Sequence, residues 1–530
     1  MSNSAIEPCG FWRRAIESPQ RPALIGPGGE TITYGTLYAR VNRTTRLLAS
    51  LGLVEGDHLT FALGQRPEIF EIVLACSQLG VWYTPASARL STDELTYLLV
   101  DSSAKALVVD STSAVAAAPA ATAASLSPDC RLAFDHCDGW VDLRRSASEF
   151  APSLPPDRRP GLALWYTSGT TGRPKGVMQR RPPIAMAELT QSAADHAAAY
   201  EWDANDVSLV QGPLYHAGPF VSALTMLHQG GLVVIMDKWT PISCLEHIDR
   251  YRVTASMMVP TMLHRLASLP SDTREQFDLS SLRRNGVMLG GSICPPETKR
   301  AMIDWWGPVI MESYGGSEGT FSRITSEDAI AHPGSVGRGW RGVTLQVLDD
   351  DGNACGPNEI GTVYARLASD AAHRPAYLNS PDKTDGSYVG EFFTLGDVGY
   401  LDAQGWLFLL DRRADLIVSG GANVYPAEVE RVLLQHGAVD DVAVIGIPND
   451  EWGQTVHAFV VPRTSDGDDA LAAALVDFAR ERLAAYKCPR TVTFVASVGR
   501  SEMGKLQRRK LRADPAAAIA LPVANAAGAS

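Results

Sequence analysis

Tyr166-Thr167-Ser168-Gly169-Thr170-Thr171-Gly172-Arg173-Pro174-Lys175-Gly176 follows directly on the apolar residues 162–165, a strand candidate. The glycines free the backbone to turn its N–H groups toward an anion. Thr167, Ser168, Thr170 and Thr171 add hydroxyl donors, and Lys175 adds a positive charge. A strand running into such a loop reads as a phosphate cradle on an α/β scaffold. It is not the pattern GxxxxGK[ST], because Gly176 follows Lys175 and the glycine spacing differs. The bland alternative is a solvated Gly/Ser/Thr turn.

Downstream of this stretch, further strand candidates lie at 232–236, 287–289 and 309–311, and several run into Gly/Ser/Thr loops. Ligands of open α/β sheets bind outside the carboxyl ends of the strands, so these loops should converge on one crevice. Toward the N-terminus, Leu37, Val41, Leu48 and Leu51 recur at helical spacings before Gly52, and Leu59, Phe61 and Leu63 alternate as a strand. The Ala/Ser/Pro-rich residues 111–127 show no hydrophobic periodicity and read as a loop or frayed surface segment. A composition break falls near Asp411. There DRRAD precedes the polar loop SGGANVYP (419–426), and Pro426 suits the first turn of a helix through Glu428, Val432 and Leu433. Strands at 442–447, 457–461 and 492–498 and a helix at 470–485 complete a small α+β domain of about 100 residues. Residues 514–530, small and uncharged apart from Asp514, read as a disordered tail.

At 530 residues and 45% hydrophobic composition the chain holds more than one core. Its net charge of −12 excludes binding to nucleic acid or anionic lipid through an overall positive field, so an anionic ligand needs a local site. No apolar run has signal-peptide or membrane-span length. Cys9, Cys76, Cys130, Cys137, Cys244, Cys294, Cys355 and Cys488 are dispersed without a CxxC pair, which fits a reducing, cytoplasmic location.

The phosphate-cradle stretch is joined, in order, by Gly290-Gly291-Ser292, Tyr314-Gly315-Gly316-Ser317-Glu318, LGDVGYLDAQGWLFLLDR at 395–412, and Gly504-Lys505. Five motifs in this order resemble the adenylate-forming superfamily of acyl-CoA synthetases, carrier-loading adenylation domains and luciferases. The chain is most like an acyl-CoA ligase, and the likeness runs from about residue 32 to residue 512. The resemblance implies an α/β fold with a large N-terminal adenylation domain (1–411) of β-sheets and flanking helices. A small mobile α+β domain (412–513) rotates against it between adenylation and thioester formation. It also implies ATP-dependent activation of a carboxylic acid to acyl-AMP with release of pyrophosphate, transfer to CoA, and a need for Mg²⁺.

Residue by residue, the resemblance implies that Thr167, Ser168, Gly169, Thr170, Thr171, Gly172 and Lys175 hold the β- and γ-phosphates of ATP. Gly290, Gly291 and Tyr314 frame the adenine, Ser317 contacts the α-phosphate and the substrate carboxylate, and Glu318 binds Mg²⁺, for which carboxylate oxygen is a natural ligand. Asp397 and Arg412 match the ribose-contacting pair. Lys505 matches the lysine that bridges carboxylate and α-phosphate. By itself it would be one cation in the basic segment 505–510, a pattern that otherwise reads as a solvated face. Ser419, Gly420 and Gly421 match the loop flanking the pantetheine channel, and His216 in PLYHAGP matches a gate near the acyl site. Gly218, Phe220, Met258 and Gly315 fall where the acyl pocket is lined, which suggests an apolar, medium to bulky acid. One position departs from the pattern: Ala414 stands where the family's hinge carries Asp or Lys. Hinges need only absorb φ/ψ change, so alanine does not forbid rotation, but acyl transfer to a separate carrier protein or partner enzyme stays open. A homodimer is the commonest closed assembly.

Two rival readings come from other classes. Gly315-Gly316-Ser317-Glu318-Gly319 also fits GxSxG, the serine-esterase elbow, which demands a helix after the serine. A binding protein that has lost catalysis is opposed by the joint presence of Lys175, Glu318, Asp397, Arg412 and Lys505.

Overall fold

In the computed structural model residues 9–167, 173–179, 185–367, 374–449, 451–463, 467–501 and 504–513 are described. Ser168, Gly169, Thr170, Thr171 and Gly172 of the phosphate cradle, and the tail 514–530, lie outside the described residues.

The described strands form four sheets. The N-terminal α/β layer is a parallel sheet in the order Trp82–Ser87, His58–Leu63, Ala104–Val109, Arg131–Ala133, Val141–Asp142. In the strand His58–Leu63 every residue after His58 is buried, because helices cover both faces, so the apparent alternation of Leu59, Phe61 and Leu63 understates its burial. The helix Tyr34–Ser50 packs here, capped by Thr33, whose hydroxyl accepts from the Thr36 N–H. The second sheet has 15 strands. Its parallel part runs Leu232–Ile235, Val207–Val210, Ala255–Met258, Val287–Leu289, Ile310–Gly316, and an antiparallel part from Gly319–Thr325 leads to Asp397–Leu401 and Leu407–Arg412.

Two local expectations are corrected. Residues 111–127 are not a loop, for Ala114–Ala123 is a helix. Alanine is the best helix former, and a nearly all-alanine segment carries no hydropathy contrast to reveal a period. Its buried face of Ala114, Ala117, Ala120 and Ala121 packs with Leu95 and Leu99 of the helix Thr92–Asp101, while Pro119 faces solvent. The strand placed at 162–165 forms later, at Trp165–Thr167. Residues before it instead hydrogen-bond along the edge of Trp82–Ser87, with Tyr83 N donating to the Leu162 carbonyl at 3.0 Å.

The strand Leu407–Arg412 ends the large sheet, a short 3₁₀ turn Arg413–Asp415 follows, and Ile417–Ser419 opens a separate five-stranded sheet. That sheet centres on the long antiparallel pair Val439–Asn449 and Gly453–Pro462. Val424, Val429, Leu433, Val442, Val444, Val456 and Leu475 give it a core of its own. The helix Pro426–Leu433 starts with proline at its first position, where the missing N–H costs nothing. The helix expected at 470–485 is Asp469–Arg480, and the strand expected at 492–498 is Thr491–Phe494. No helix among the described residues is long and apolar enough to cross a membrane, and all eight cysteines are free thiols.

Candidate active site

The antiparallel hairpin Ile310–Gly316 and Gly319–Thr325 sets the floor of the site. Gly316 pairs with Gly319, so Ser317 and Glu318 occupy the two-residue tip. A strand, not a helix, follows Ser317, and the nucleophile-elbow reading is excluded by that geometry. Gly315 is required by the close approach of the two strands, since a Cβ there would stand 2.2 Å from the Gly319 carbonyl oxygen. A buried ion pair of Lys299 with Glu312 anchors the base of the hairpin.

Glu318 is 6% exposed, and its Oε1 accepts from the Tyr377 hydroxyl at 3.1 Å. The Lys175 ammonium lies 4.7 Å from the centroid of the same tyrosine ring. Burial holds Lys175 below its ordinary pKa, Lys383 adds to this, and Glu318 opposes it. Thr167 and Lys175 face each other at the loop end of the hairpin Trp165–Thr167 and Lys175–Gln179, to which Pro375–Tyr377 adds a third strand. Helix Thr92–Asp101 holds this hairpin in place. Tyr166 donates to Asp101 at 2.7 Å, and Tyr97 donates to the Pro174 carbonyl at 2.8 Å. Tyr377 was not legible as a site residue, because PAYLN matches no motif and the residue arrives through sheet pairing alone.

Tyr314 donates to Asp397 Oδ2 at 2.8 Å, and Arg412 Nε lies 3.4 Å from Asp397 Oδ1. Asp397 and Arg412 are register partners on neighbouring strands, which explains how residues fifteen apart in sequence act as a pair. Burial, then Asp397, push the Tyr314 phenol well above its ordinary value, so it remains a hydrogen-bond donor. Gly291 has φ +96° and Gly290 N donates to the Met258 carbonyl at 3.3 Å, which keeps this turn open and bare.

Lys505 reaches this floor from the small domain. Its Cε lies 3.9 Å from where a Cβ on Gly291 would stand. The side chain is open to solvent yet walled by protein in the cleft, so desolvation lowers its pKa. Arg412 adds to that effect, and Asp397 and Glu318 oppose it. His216 heads the helix Ala217–Gln229, and burial, then Lys505, push it down to about 4, leaving a neutral imidazole at neutral pH.

The remaining sequence candidates are distributed differently. Gly218 lies in the first turn of the same helix, where a Cβ would meet Met257 at 2.8 Å. Phe220 packs against Phe70, Tyr83 and Trp165, and Met258 lies in a second core cluster; both are fully buried. Ser419 pairs with Gly453, and Gly420 and Gly421 have φ +58° and +79°. A Cβ on Gly420 would stand 2.6 Å from the Trp452 ring, itself stacked by Arg490 at 4.5 Å. Ala414 sits within the 3₁₀ turn, its carbonyl accepting from Arg512 at 3.1 Å. Arg508 does not belong to a solvated basic face, since its side chain is 11% exposed among Asp411, Asp415 and Glu430, the last at 2.7 Å. Burial pushes Asp411 up to about 6; Arg508 pulls it down and Glu430 adds to the rise. No cluster of three or more His, Cys, Asp or Glu fit for a metal exists among the described residues. A divalent ion beside Glu318 would therefore take most of its shell from phosphate and water, which suits Mg²⁺.

Sequence profiles match over most of the chain: AMP-binding enzyme over residues 11–369 and AMP-binding enzyme C-terminal domain over 428–505. The chain is 33% identical over 505 residues to 2-succinylbenzoate–CoA ligase of Geobacillus kaustophilus, covering 94% of this chain and 96% of that one. It is 31% identical over 511 residues to feruloyl-CoA synthase of an Amycolatopsis species, covering 95% and 98%. Among solved structures, O-succinylbenzoate coenzyme A synthetase from Bacillus subtilis, in complex with ATP and magnesium ion, superposes with a TM-score of 0.78. It is 29% identical, covering 95% of this chain and 99% of that one.

Proposed function

The chain belongs to the AMP-binding enzyme family, and on that premise we propose that it is an AMP-forming acyl-CoA ligase whose acid is apolar and medium to bulky. The observation that carries the reading is the arrival of Lys505, from the small domain, over Gly291 and within the field of Asp397, Arg412 and Glu318. This is the arrangement needed to join a carboxylate to an α-phosphate, where no proton must move and charge placement dominates.

In the first half-reaction a carboxylate oxygen attacks the α-phosphorus of ATP, and the bond to pyrophosphate breaks. Lys505 stabilises the charge shared by the attacking oxygen and the α-phosphate, with Ser317 beside both. Thr167, Lys175 and the loop between them hold the departing phosphates. Tyr314 and the bare turn Gly290-Gly291 frame the adenine, and Asp397 and Arg412 hold the ribose. Mg²⁺, held by Glu318, supplies charge neutralisation of the phosphates when bound. His216, kept neutral, borders the acyl group without adding a second cation beside Lys505. In the second half-reaction the small domain turns about Ala414, Lys505 withdraws, and Ser419, Gly420 and Gly421 flank the incoming thiol. The sulfur attacks the acyl carbon and AMP leaves.

The acid class rests on relatives named for the bulky aromatic acids 2-succinylbenzoate and ferulate, and on Gly218, whose missing side chain leaves its helix turn bare beside Met257. Pyrophosphate release with ATP and Mg²⁺ across aliphatic, aromatic and short polar acids tests it, with acyl-AMP followed by mass. Acid-dependent release favouring bulky apolar acids is expected. Activity confined to short or charged acids would refute the substrate class, and acyl-AMP consumed only by a carrier protein would refute CoA as acceptor.

A further inference from the structure

The side chain of Arg500 makes two bonds to Asp441, Nε to Oδ2 and Nη2 to Oδ1, each at 2.7 Å. Its Nη1 is turned the other way and donates to the Gly504 carbonyl at 2.8 Å, the peptide group that joins Gly504 to Lys505. Asp441 lies in the strand Val439–Asn449, the long edge strand of the small sheet, paired along its length with Gly453–Pro462. Arg500 therefore ties the lysine loop to the long strand pair of its own domain. The loop is closed by Ser501 as well, which donates its N–H to the Lys505 carbonyl at 2.8 Å and accepts from the Lys505 N–H through its hydroxyl at 3.2 Å. On its far side the loop presses on the large domain, with Gly504 at φ +67° against Thr261 of the helix Pro260–Ala267.

An ordinary structural ion pair would need only the two bonds to Asp441. Nη2 also lies 3.5 Å from the Val442 carbonyl, while Nη1 is placed on the one carbonyl whose position sets the direction of the Lys505 Cα, and a planar guanidinium fixes these bonds in a single orientation. We propose that Arg500 is a positioning residue for adenylation, which aims the Lys505 ammonium by holding the Gly504 carbonyl in a fixed orientation to Asp441. The inference rests on the reading of Lys505 given above. Arg500 touches no reacting atom and acts only through Lys505, so its loss should appear in the half-reaction that uses the lysine and be absent where the lysine has withdrawn.

The test compares the parent protein with Arg500→Ala, Lys505→Ala and the double variant in two single-turnover assays. One follows pyrophosphate and acyl-AMP from ATP and acid, and the other follows acyl-CoA from supplied acyl-AMP and CoA. Arg500→Ala is expected to slow adenylation by about 10- to 100-fold through kcat, the scale of a misplacement near 1 Å. Its KM values and its thioester rate should stay within about twofold of the parent. In the Lys505→Ala background the same substitution should cost nothing further, because residues that act through one another are not additive. Equal losses in both half-reactions, or an undiminished loss without Lys505, would reduce Arg500 to a fold-stabilising residue and overturn the proposal. Normal adenylation by Lys505→Ala would instead overturn the role of the lysine itself. Should Arg500→Ala melt at much lower temperature than the parent, Asp441→Asn gives the same split in smaller measure, and its failure to separate the half-reactions would likewise refute the idea.

Discussion

The two sides of the cleft are built in opposite ways. On the large-domain side, Tyr314, Ser317, Glu318, Asp397 and Arg412 stand on or between paired strands of one sheet, anchored from below by Lys299 and Glu312. On the small-domain side, Lys505 hangs from a short loop held by Arg500, Ser501 and a glycine contact to Thr261. Groups that serve both half-reactions can be fixed once by the sheet. A lysine that must leave needs a mount stiff within its own domain and lightly attached to the other, and this is what the hydrogen bonds provide.

Substitutions can sharpen that contrast. The largest effect belongs to Lys505→Ala, expected to cut adenylation by about 10²- to 10³-fold, the usual cost of one preorganised charge-stabilising group, while thioester formation from supplied acyl-AMP continues. Rapid-quench assay of each half-reaction checks it. Lys299→Met should act on the fixed side: it strands Glu312 in the interior and costs about 3–5 kcal/mol of stability, lowering both half-reactions together. Denaturant melts beside the same two assays distinguish this from a loss confined to one. Gly504→Ala should be milder, about tenfold on adenylation beyond any loss shared by both assays: the shared part comes from a side chain at φ +67°, and the excess from a Cβ 2.2 Å from Thr261 Oγ1 while the domains are docked for that step. An equal loss in both assays would leave only the backbone strain and remove the contact with Thr261 from the account.

The smallest effect is one of pH and belongs to neither side in particular. Burial holds His196, His216 and His228 at about 4, against 6.5 for the free side chain. The unfolded chain therefore takes up protons that the fold refuses, and stability should fall as pH drops from 6.5 toward 4. Asp411, raised to about 6, works in the opposite direction: its proton favours the fold at low pH, and that contribution is lost as pH rises through 6. Thermal melts between pH 4 and 7 should show a net decline toward acid, smaller in His228→Gln.

Much of the fixed side was legible in the sequence because its parts are contiguous strings at strand ends. GlyGlySer at 290–292, the hairpin tip with Glu318, and Asp397 with Arg412 could each be matched, in order, to motifs of the adenylate-forming family. The mount of the lysine was not legible in that way. Arg500 and Asp441 are 59 residues apart, and Arg508 meets Asp411 and Glu430 only after the small sheet has formed. A basic run such as 505–510 looks the same whether its arginines are solvated or captured by carboxylates elsewhere in the chain. The alanine helix 114–123 escaped for a different reason, since uniform small side chains give no amphipathic contrast even where one face is fully buried. Tyr377 escaped because strand pairing, not sequence neighbourhood, brings it to Glu318.

The central claim is that one chain performs both half-reactions with alanine at its hinge. The most direct test is a chase: the protein is loaded with ATP, Mg²⁺ and a bulky apolar acid until acyl-AMP has formed, then mixed with CoA while acyl-AMP and acyl-CoA are followed by mass. The account predicts that acyl-AMP is stable before the chase and converts to acyl-CoA with release of AMP on addition of CoA. Acyl-AMP that persists at the same level whether or not CoA is present would contradict it.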